Sequence, residues 1–280
     1  MKLADAHMHL FRRGYHRPSL PSLFGEGELH AYEALRLTHG IQLALAIGYE
    51  AKGIDPGNNA YLRHLSRTRS WLRTLAFVEP TTVPEPAVIE ALLDDGHAGL
   101  AIYAIDQLQA EALLRWPRSC WQVLQARRAV VSFNACPEGI TVLGLLVSEW
   151  AGVQFLFSHL GLPGVVERCT SPEWLLNRLK PLLSLVRLPN VHVKISGLYA
   201  MCEPQHAFPH KAAGIVIRRM LEAFGPERCL WASDFAPALE FVSFPQTIDW
   251  PGRNELSETE QRLVFHDNLE RLLFQPKSAP

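Results

Sequence analysis

Short apolar runs alternate with longer segments of helical periodicity along the whole chain. Each run is a few residues long and is followed by polar, Gly or Pro residues. This is the pattern of strands that are buried on both faces of a parallel sheet. It predicts eight strands, at residues 3–9, 41–48, 73–78, 99–103, 129–134, 153–158, 191–196 and 229–233.

The segments between these runs are long enough for helices, and four of them are predicted with bounds at 85–95, 172–186, 211–224 and 257–273. Pro181 is expected to break or kink the second of these helices. The third ends before Gly225-Pro226, which is an ordinary stop signal. Ser257 and Glu260 form the pattern of a capping box at the start of the fourth.

Eight strands separated by helices predict parallel βαβ units, and eight such units close into a (β/α)8 TIM barrel, an α/β fold. No low-complexity linker or break in composition divides the chain, so residues 1–280 are predicted to form a single domain. An open, doubly wound sheet is the alternative, but the residues after His9 read Leu-Phe-Arg-Arg-Gly and lack its Gly-rich turn. Long loops are expected at 18–27 and 240–253, after the first and last strands.

Composition narrows the classes of partner. The 280 residues carry 27 Lys+Arg against 28 Asp+Glu, and this near-neutral balance argues against nucleic acid or an anionic membrane surface as the main target. The most apolar stretch, 140–160, is interrupted by Glu149 and Gln154, so no membrane span is predicted. A small-molecule ligand is the expected partner, and homo-oligomerisation stays open.

Two further features indicate the cellular compartment. The five cysteines are scattered and contain no C-x-x-C pair, which favours reduced thiols over a disulfide framework or a cysteine zinc site. The first predicted strand begins within three residues of the N-terminus and leaves no room for a signal peptide. A cytoplasmic location is therefore expected.

Asp5-Ala-His7-Met-His9 on the first strand is the strongest local signal for chemistry. Alternate residues of a strand share a face, so all three polar side chains are expected to project into the barrel, with Asp5 one layer below the two imidazoles. Two neighbouring imidazoles on a rigid strand can hold one divalent ion. Two polar residues hydrogen-bonded to loops at a strand end are the structural alternative.

His159 and Asp234 close the sixth and eighth predicted strands. His159 follows the apolar run 153–157 and is a candidate third ligand or carbonyl-polarising group. Asp234 would lie beside the first strand once the barrel closes, where it could complete a metal site and act as a base on an attacking water. As an alternative, Asp234 could serve as a helix N-cap. Together with His7 and His9, these two residues fall at the face where barrels of this kind have their active sites.

Four segments resemble one family, in the family's order. They are Asp5-Ala-His7-Met-His9-Leu-Phe, His159-Leu-Gly-Leu-Pro163, the stretch from Asn190 through Lys194-Ile-Ser196 to Tyr199, and the stretch from Phe224 to Asp234. The chain is similar to the amidohydrolase-related branch of the amidohydrolase superfamily that includes sugar lactonases and 2-pyrone-4,6-dicarboxylate lactonase. The resemblance covers nearly the whole chain and is weaker between residues 50 and 150.

The resemblance implies a distorted barrel that hydrolyses a lactone or a related carboxylic ester. By motif position, His7 and His9 would polarise the carbonyl, directly or through a metal, with assistance from His159. Asp234 would take the proton from the attacking water. One divalent ion, most simply zinc, on His7, His9, His159 and Asp234 is one interpretation, and metal-free catalysis is the other; no organic cofactor is expected.

Strands four and five depart from the family pattern. Strand five reads Val130-Val-Ser-Phe-Asn134, without the histidine that metal-dependent members usually carry there. Strand four ends at Tyr103 and has no lysine or glutamate that could bridge two metals, so a two-metal site is not expected. It also lacks the arginines that many relatives place there, which argues against a dicarboxylate substrate.

Residues near the strand ends are candidates for substrate binding. Tyr103 and Asn134 end strands four and five, and Tyr49 follows strand two. Lys194 on strand seven could bind a substrate carboxylate, or it could pair with a buried carboxylate such as Asp5. Each of these residues has a structural role as its alternative.

Two other functions compete with a lactonase. Related barrels with a similar His-x-His are metal-dependent decarboxylases, although Leu-Gly-Leu-Pro163 after His159 differs from the Gly-Gly variant associated with them. The altered strands four and five are also compatible with a non-catalytic barrel that binds a metabolite. A phosphoesterase of the metal-dependent DNase type begins similarly, but its further histidines and glutamate on strands three to five are not evident.

Overall fold

The computed structural model describes residues 1–15, 21–50, 54–168 and 171–274. Eight parallel strands form one sheet in which each strand pairs with the next along the chain. They are β1 (Leu3–Met8), β2 (Ile41–Ile47), β3 (Leu72–Phe77), β4 (Gly99–Tyr103), β5 (Val130–Asn134), β6 (Gln154–Phe157), β7 (Val191–Ile195) and β8 (Cys229–Trp231). All eight predicted strands are therefore confirmed.

Helices follow the strands and form the outer layer. Their bounds are α1 (Glu28–His39), α2 (Asn58–Arg67), α3 (Pro86–Asp94), α4 (Gln107–Leu113), α5 (Arg118–Ala126), α6 (Pro137–Glu149), α7 (Pro172–Leu183), α8 (Ala213–Phe224), α9 (Phe244–Ile248), α10 (Glu258–Arg262) and α11 (Asn268–Phe274). None of them combines the length and apolar character that crossing a membrane would need, within the part of the chain described.

The barrel closes between β1 and the segment that follows β8. The Asp234 amide donates to the His7 carbonyl at 2.9 Å, and the His9 amide donates to the Phe235 carbonyl at 2.5 Å. The predicted (β/α)8 barrel is thus confirmed as a nearly closed barrel. Closure brings Asp234 next to His7 and His9 although the two segments lie at opposite ends of the chain.

Two layers of apolar side chains hold the barrel together. Small and aliphatic residues at alternate strand positions fill the interior, among them Ala4, Leu43, Leu75, Val130 and Leu156. The layer between strands and helices is richer in large aromatic residues, including Tyr32, Trp121, Phe133, Phe155 and Phe224. This division follows from the period of two along each strand.

Asp5 does not share the face of His7 and His9. The pairing of β1 with β2 shifts register between Asp5 and Met8, and such an irregularity changes which side chains face inward. The Asp5 carboxylate accepts hydrogen bonds from the Tyr32 hydroxyl on α1 and from the amide and hydroxyl of Ser233. The expected position of Asp5 below the imidazoles is therefore wrong, and Asp5 instead joins β1 to α1 and β8.

The helix predictions differ from the structure mainly at their ends. α7 continues past Pro181 and ends at Leu183, before a 3₁₀ turn. The capping box of Ser257 and Glu260 is present, but the helix it opens is divided by a π-helical turn at Leu263–Asp267.

The expected loop at 240–253 contains the short helix α9. Part of the loop expected at 18–27 lies outside the described residues, as does Cys169. The other four cysteines are free thiols.

Candidate active site

His7 and His9 meet at the carboxyl end of β1. Both side chains are buried, and their Nε2 atoms lie 3.1 Å apart. The Nδ1 atom of His9 is 2.9 Å from the Ile47 carbonyl oxygen. Because a carbonyl only accepts, His9 carries its proton on Nδ1 and turns an unprotonated Nε2 toward His7.

Asp234 lies on the other side of the same pair. Its Oδ1 atom is 3.7 Å from His7 Nε2, and its Oδ2 atom accepts a 2.8 Å hydrogen bond from the Tyr199 hydroxyl. The Asp234 backbone has φ +57°, in the left-handed region that non-glycine residues rarely adopt. Strained backbone of this kind concentrates at functional sites, and here it accompanies the placement of the carboxylate.

His159 lies within a turn directly after β6, with its ring centroid 4.8 Å from that of His7. Its Nδ1 atom is 2.9 Å from Ser196 Oγ and 4.0 Å from Asp234 Oδ2. The absence of a side chain at Gly197 leaves room for the His159 ring, because a Cβ added at Gly197 would lie 2.6 Å from His159 Nδ1. His159, like Asp234, has a positive φ, of +53°.

Burial controls the protonation of these groups. Desolvation lowers the pKa of His9 to about 4 and that of His159 to about 3, and it lowers the pKa of His7 well below its usual value. Desolvation also raises the pKa of Asp234 to about 6, against the opposing effects of His9 and Tyr199. At neutral pH the site therefore combines neutral imidazoles with a carboxylate that can accept a proton.

A second polar cluster lies beside His7 inside the barrel. Lys194 is fully buried, and its Nζ atom is 2.7 Å from Ser132 Oγ and 3.2 Å from His7 Nδ1. Ser158 Oγ lies 3.1 Å from the same His7 nitrogen and 3.4 Å from Ser132 Oγ. Burial lowers the pKa of Lys194 to about 7, while the charges of Asp5 and Asp234 act in the opposite direction.

The three residues predicted to bind substrate at the rim of the barrel are Tyr49, which follows β2, and Tyr103 and Asn134, which end β4 and β5. The rings of Tyr49 and Tyr103 are 4.5 Å apart, and Asn134 pairs with Tyr103 across β4 and β5. The pKa of Tyr103 is raised well above its usual value, first by burial and then by the charge of Asp234. Asn134 Oδ1 is buried and has no hydrogen-bond partner among the described residues.

His7, His9 and Asp234 fit a divalent metal ion. One ligand atom from each residue falls within 4.8 Å of the others. A tetrahedral ion with ligands at about 2.0–2.1 Å needs its ligand atoms about 3.3 Å apart, close to the 3.1 and 3.7 Å observed here. His159, the fourth predicted ligand, is outside this group of three; its Nδ1 lies 2.9 Å from Ser196 Oγ.

The sequence did not single out Tyr199, Ser132, Ser158 or Ser196 for a role at the site. Ser132 interrupts the apolar strand β5, and Ser158 and Ser196 directly follow β6 and β7; a buried serine at these strand positions is the one signal that could have marked them. Tyr199 lies in a 3₁₀ turn after β7, and its contact with Asp234 depends on how two separate loops meet.

A (β/α)8 barrel with paired histidines on its first strand and an aspartate after its eighth defines the class of this protein. The chain belongs to the amidohydrolase family, whose model matches residues 4–275. It is therefore an enzyme of the amidohydrolase superfamily, as the sequence resemblance predicted. No curated protein matches the chain.

Solved structures share the fold at low sequence identity. A protein provisionally named as a 2-pyrone-4,6-dicarboxylic acid hydrolase of Acinetobacter baumannii, with citric acid bound, is 16% identical at a TM-score of 0.74, covering 98% of this chain and 99% of its own. An amidohydrolase of Burkholderia multivorans with bound zinc is 17% identical at 0.75, with the same coverage. A 5-carboxyvanillate decarboxylase of Sphingomonas paucimobilis is 14% identical at 0.59, covering 97% and 98%.

Proposed function

We propose that this protein is a lactonase-type hydrolase, in which Asp234 activates a water molecule for attack on a lactone or carboxylic ester carbonyl. The observation that carries the proposal is the convergence of His7, His9 and Asp234 at the barrel mouth, with a carboxylate 3.7 Å from an imidazole. Active sites of barrels of this kind occupy this face.

Asp234 is suited to the role of general base. Its raised pKa of about 6 leaves a carboxylate at neutral pH with an affinity for protons near the working range. The Tyr199 hydroxyl binds Oδ2 and so orients the carboxylate, which leaves Oδ1 toward the histidine pair. Water attack forms a C–O bond while the water proton passes to Asp234.

The imidazoles of His7 and His159 border the place where the carbonyl would lie, and a ring N–H would polarise its oxygen as negative charge develops. His9, whose N–H is used on the Ile47 carbonyl, would act indirectly, by orienting His7 through its unprotonated Nε2 or as a metal ligand. The tetrahedral intermediate then breaks the bond between the carbonyl carbon and the ring oxygen. The departing alkoxide takes the proton back from Asp234, so that the open hydroxy acid is released and the base is restored.

A divalent ion such as zinc, when bound, would be held by His7, His9 and Asp234 and would supply Lewis-acid polarisation of the carbonyl. The zinc-bound relative from Burkholderia multivorans and the spacing of the three ligand atoms support this addition. The residue roles proposed above do not depend on it.

The substrate is proposed to be a small lactone that contacts the rim. Tyr49, Tyr103 and Asn134 offer aromatic surface, hydroxyl groups and an amide at neighbouring positions of the barrel mouth. These groups suit a hydroxylated or weakly polar ring. Lys194, expected as a candidate for a substrate carboxylate, is fully buried with its Nζ on Ser132 and His7.

A panel of sugar-acid and muconate-type lactones tests the proposal. We expect turnover of at least one lactone and a loss of about 10²–10⁴-fold in kcat for Asp234→Asn. Asp95→Asn, at an exposed carboxylate paired with Arg63, is the matched control and should retain full activity.

Three results would overturn the proposal. One is unchanged activity in Asp234→Asn. Another is release of carbon dioxide from an aromatic acid without lactone turnover, which would assign the protein to the decarboxylases. The third is tight binding of a lactone with no product by mass spectrometry, which would indicate a metabolite-binding barrel.

A further inference from the structure

We propose that Glu28 is a positioning residue that holds segment 10–15, directly after β1, at the barrel mouth and thereby places Tyr15 against the substrate. Tyr15 is then a further residue that determines substrate binding, and Glu28 acts through it. The contact with substrate rests on the proposed lactonase function, whereas the hold of Glu28 on the segment can be measured without turnover.

Glu28 is a fully buried carboxylate at the first position of α1. Its Oε1 atom accepts a hydrogen bond from the Phe11 amide at 2.6 Å, and its Oε2 atom accepts one from the Tyr15 amide at 2.5 Å. Burial raises the pKa of Glu28 to about 7, and these two amides act in the opposite direction. Burying a carboxylate is costly unless its oxygens are hydrogen-bonded, and both oxygens of Glu28 bind this one stretch of backbone.

A second buried polar residue, Asn58 on α2, holds the start of the same segment. Its side-chain amide donates to the Leu10 carbonyl at 2.8 Å, and its Oδ1 atom accepts from the Tyr49 amide at 3.1 Å. Asn58 thus joins the chain leaving β1 to the chain leaving β2. The far end of the segment, at Tyr15, is held by Glu28.

The aromatic rings of the segment lead from the histidine pair to the rim. The Phe11 ring stacks on the His9 imidazole, with centroids 5.7 Å apart and planes 12° from parallel, and the Tyr15 ring lies 5.9 Å from that of Phe11. Burial is the main cause that raises the pKa values of Tyr49 and Tyr103, and an ionised Tyr15 would add to both shifts. The Tyr15 hydroxyl therefore lies close to theirs, at the mouth of the barrel.

Tyr15 joins the rim from a position that the strand pattern did not reveal, because it lies well beyond the end of β1. A tyrosine offers a ring that packs on apolar surface and a hydroxyl that both donates and accepts, which suits a lactone ring. Its distance from a bound lactone depends on the backbone that Glu28 holds. The two hydrogen bonds of Glu28 reach this backbone and not Asp234, so Glu28 should affect substrate binding rather than proton transfer.

Hydrogen exchange followed by mass spectrometry, at a pH above the Glu28 pKa of about 7, measures the hold on the segment. In Glu28→Gln one carboxylate oxygen becomes an NH2 group, which meets a backbone N–H donor to donor. We expect peptides that cover residues 10–15 to exchange at least about tenfold faster than in the wild type. Glu33→Gln, on the same helix and paired with Arg69, is the control and should leave their exchange unchanged. Equal exchange in Glu28→Gln and the wild type would overturn the proposed hold.

Steady-state kinetics on a lactone that the wild type hydrolyses separates positioning from chemistry. We expect Glu28→Gln and Tyr15→Ala each to raise KM about tenfold and to leave kcat within about twofold, since a contact made equally in the ground and transition states changes KM alone. The double variant should have a KM no higher than that of Tyr15→Ala, because Glu28 acts through Tyr15.

Unchanged KM in Tyr15→Ala would overturn the substrate contact, even if Glu28→Gln fails to fold. Additive rises of KM in the double variant, or a lowered kcat with unchanged KM in Glu28→Gln, would overturn the action of Glu28 through Tyr15. Absence of turnover in the wild type would count against the proposed lactonase, and hydrogen exchange would then decide whether Glu28 holds the segment.

Discussion

Burial is the main cause of the shifted pKa values of individual residues in the site. His9 and His159 have pKa values lowered to about 4 and 3, whereas the pKa of Asp234 is raised to about 6. Each shift has desolvation as its main cause, so each favours the neutral form of its group. An imidazole ordinarily binds a proton more tightly than a carboxylate does, but here the order is reversed, and Asp234 is a stronger base than His9 or His159.

Gly197 is predicted to be essential for the position of His159. In Gly197→Ala the new Cβ would lie 2.6 Å from His159 Nδ1 and 2.9 Å from its Cγ, which forces the imidazole away from Ser196. Because displacements of about 1 Å in an active site can lower rates about 100-fold, we expect a fall in kcat of that order on any lactone the enzyme hydrolyses.

Gly40→Ala separates crowding from backbone strain. Gly40 has φ +70°, close to the +64° of Gly197, but its added Cβ would meet only the Met1 carbonyl oxygen at 3.9 Å. Both variants should lose stability, while only Gly197→Ala should lose activity. Full activity in Gly197→Ala would show that the His159 position is unimportant.

At the scale of elements, the predictable features are those that depend on local pattern. Eight buried strands could be predicted because apolar runs ended at polar, Gly or Pro residues. The inward face of Asp5 was predicted wrongly, since the register shift in β1 arises from pairing with β2 and not from the sequence of β1 alone. The π-helical turn at Leu263–Asp267 could not be predicted from hydrophobic periodicity either, because it is a single wider turn within an otherwise continuous helix.

The capping box of α10 is predicted to contribute measurably to stability. Ser257 Oγ accepts from the Glu260 amide at 3.3 Å, and the Glu260 carboxylate accepts from the Ser257 amide at 2.8 Å. Ser257→Ala should lower the free energy of unfolding by about 1 kcal/mol in urea denaturation. Ser148→Ala, in the exposed last turn of α6, is the control and should change it little. Equal stabilities of the two variants would argue against the cap.

At the scale of the whole molecule, barrel topology is what made the site predictable. Residues at the ends of strands one, six and eight could be assigned to one mouth from the sequence, because parallel strands in a barrel present their carboxyl ends together. The Tyr199 contact with Asp234 and the Lys194 contact with His7 could not be predicted. They depend on side-chain directions and loop paths that no single segment specifies.

The stability of the fold is expected to depend on pH through His192, a buried histidine outside the candidate site. Burial first, and then the charges of Arg271 and Arg228, lower the pKa of His192 from 6.5 to about 3. Below pH 6.5 the unfolded chain binds a proton on His192 that the folded state excludes. The stability of the folded state is therefore not reduced by His192 above pH 6.5, and it falls progressively as the pH is lowered toward 3. At pH 5 the loss for His192 alone would be about 2 kcal/mol.

His192→Gln isolates this effect, since glutamine can still donate to Gln154, which His192 Nε2 contacts at 3.2 Å. Measured by urea unfolding, the variant should gain stability relative to the wild type as the pH is lowered from about 7 to about 5. Parallel curves for the two proteins across that range would mean that His192 takes up its proton without unfolding.

Hydrolysis in water enriched in oxygen-18, followed by mass spectrometry of the product, tests the central claim most directly. If an Asp234-activated water attacks the lactone carbonyl, one heavy oxygen enters the new carboxyl group at the rate of turnover. Asp234→Asn should then slow that incorporation by about 10²–10⁴-fold. Product without heavy oxygen in its carboxyl group, or equal incorporation rates in the variant and the wild type, would contradict the account.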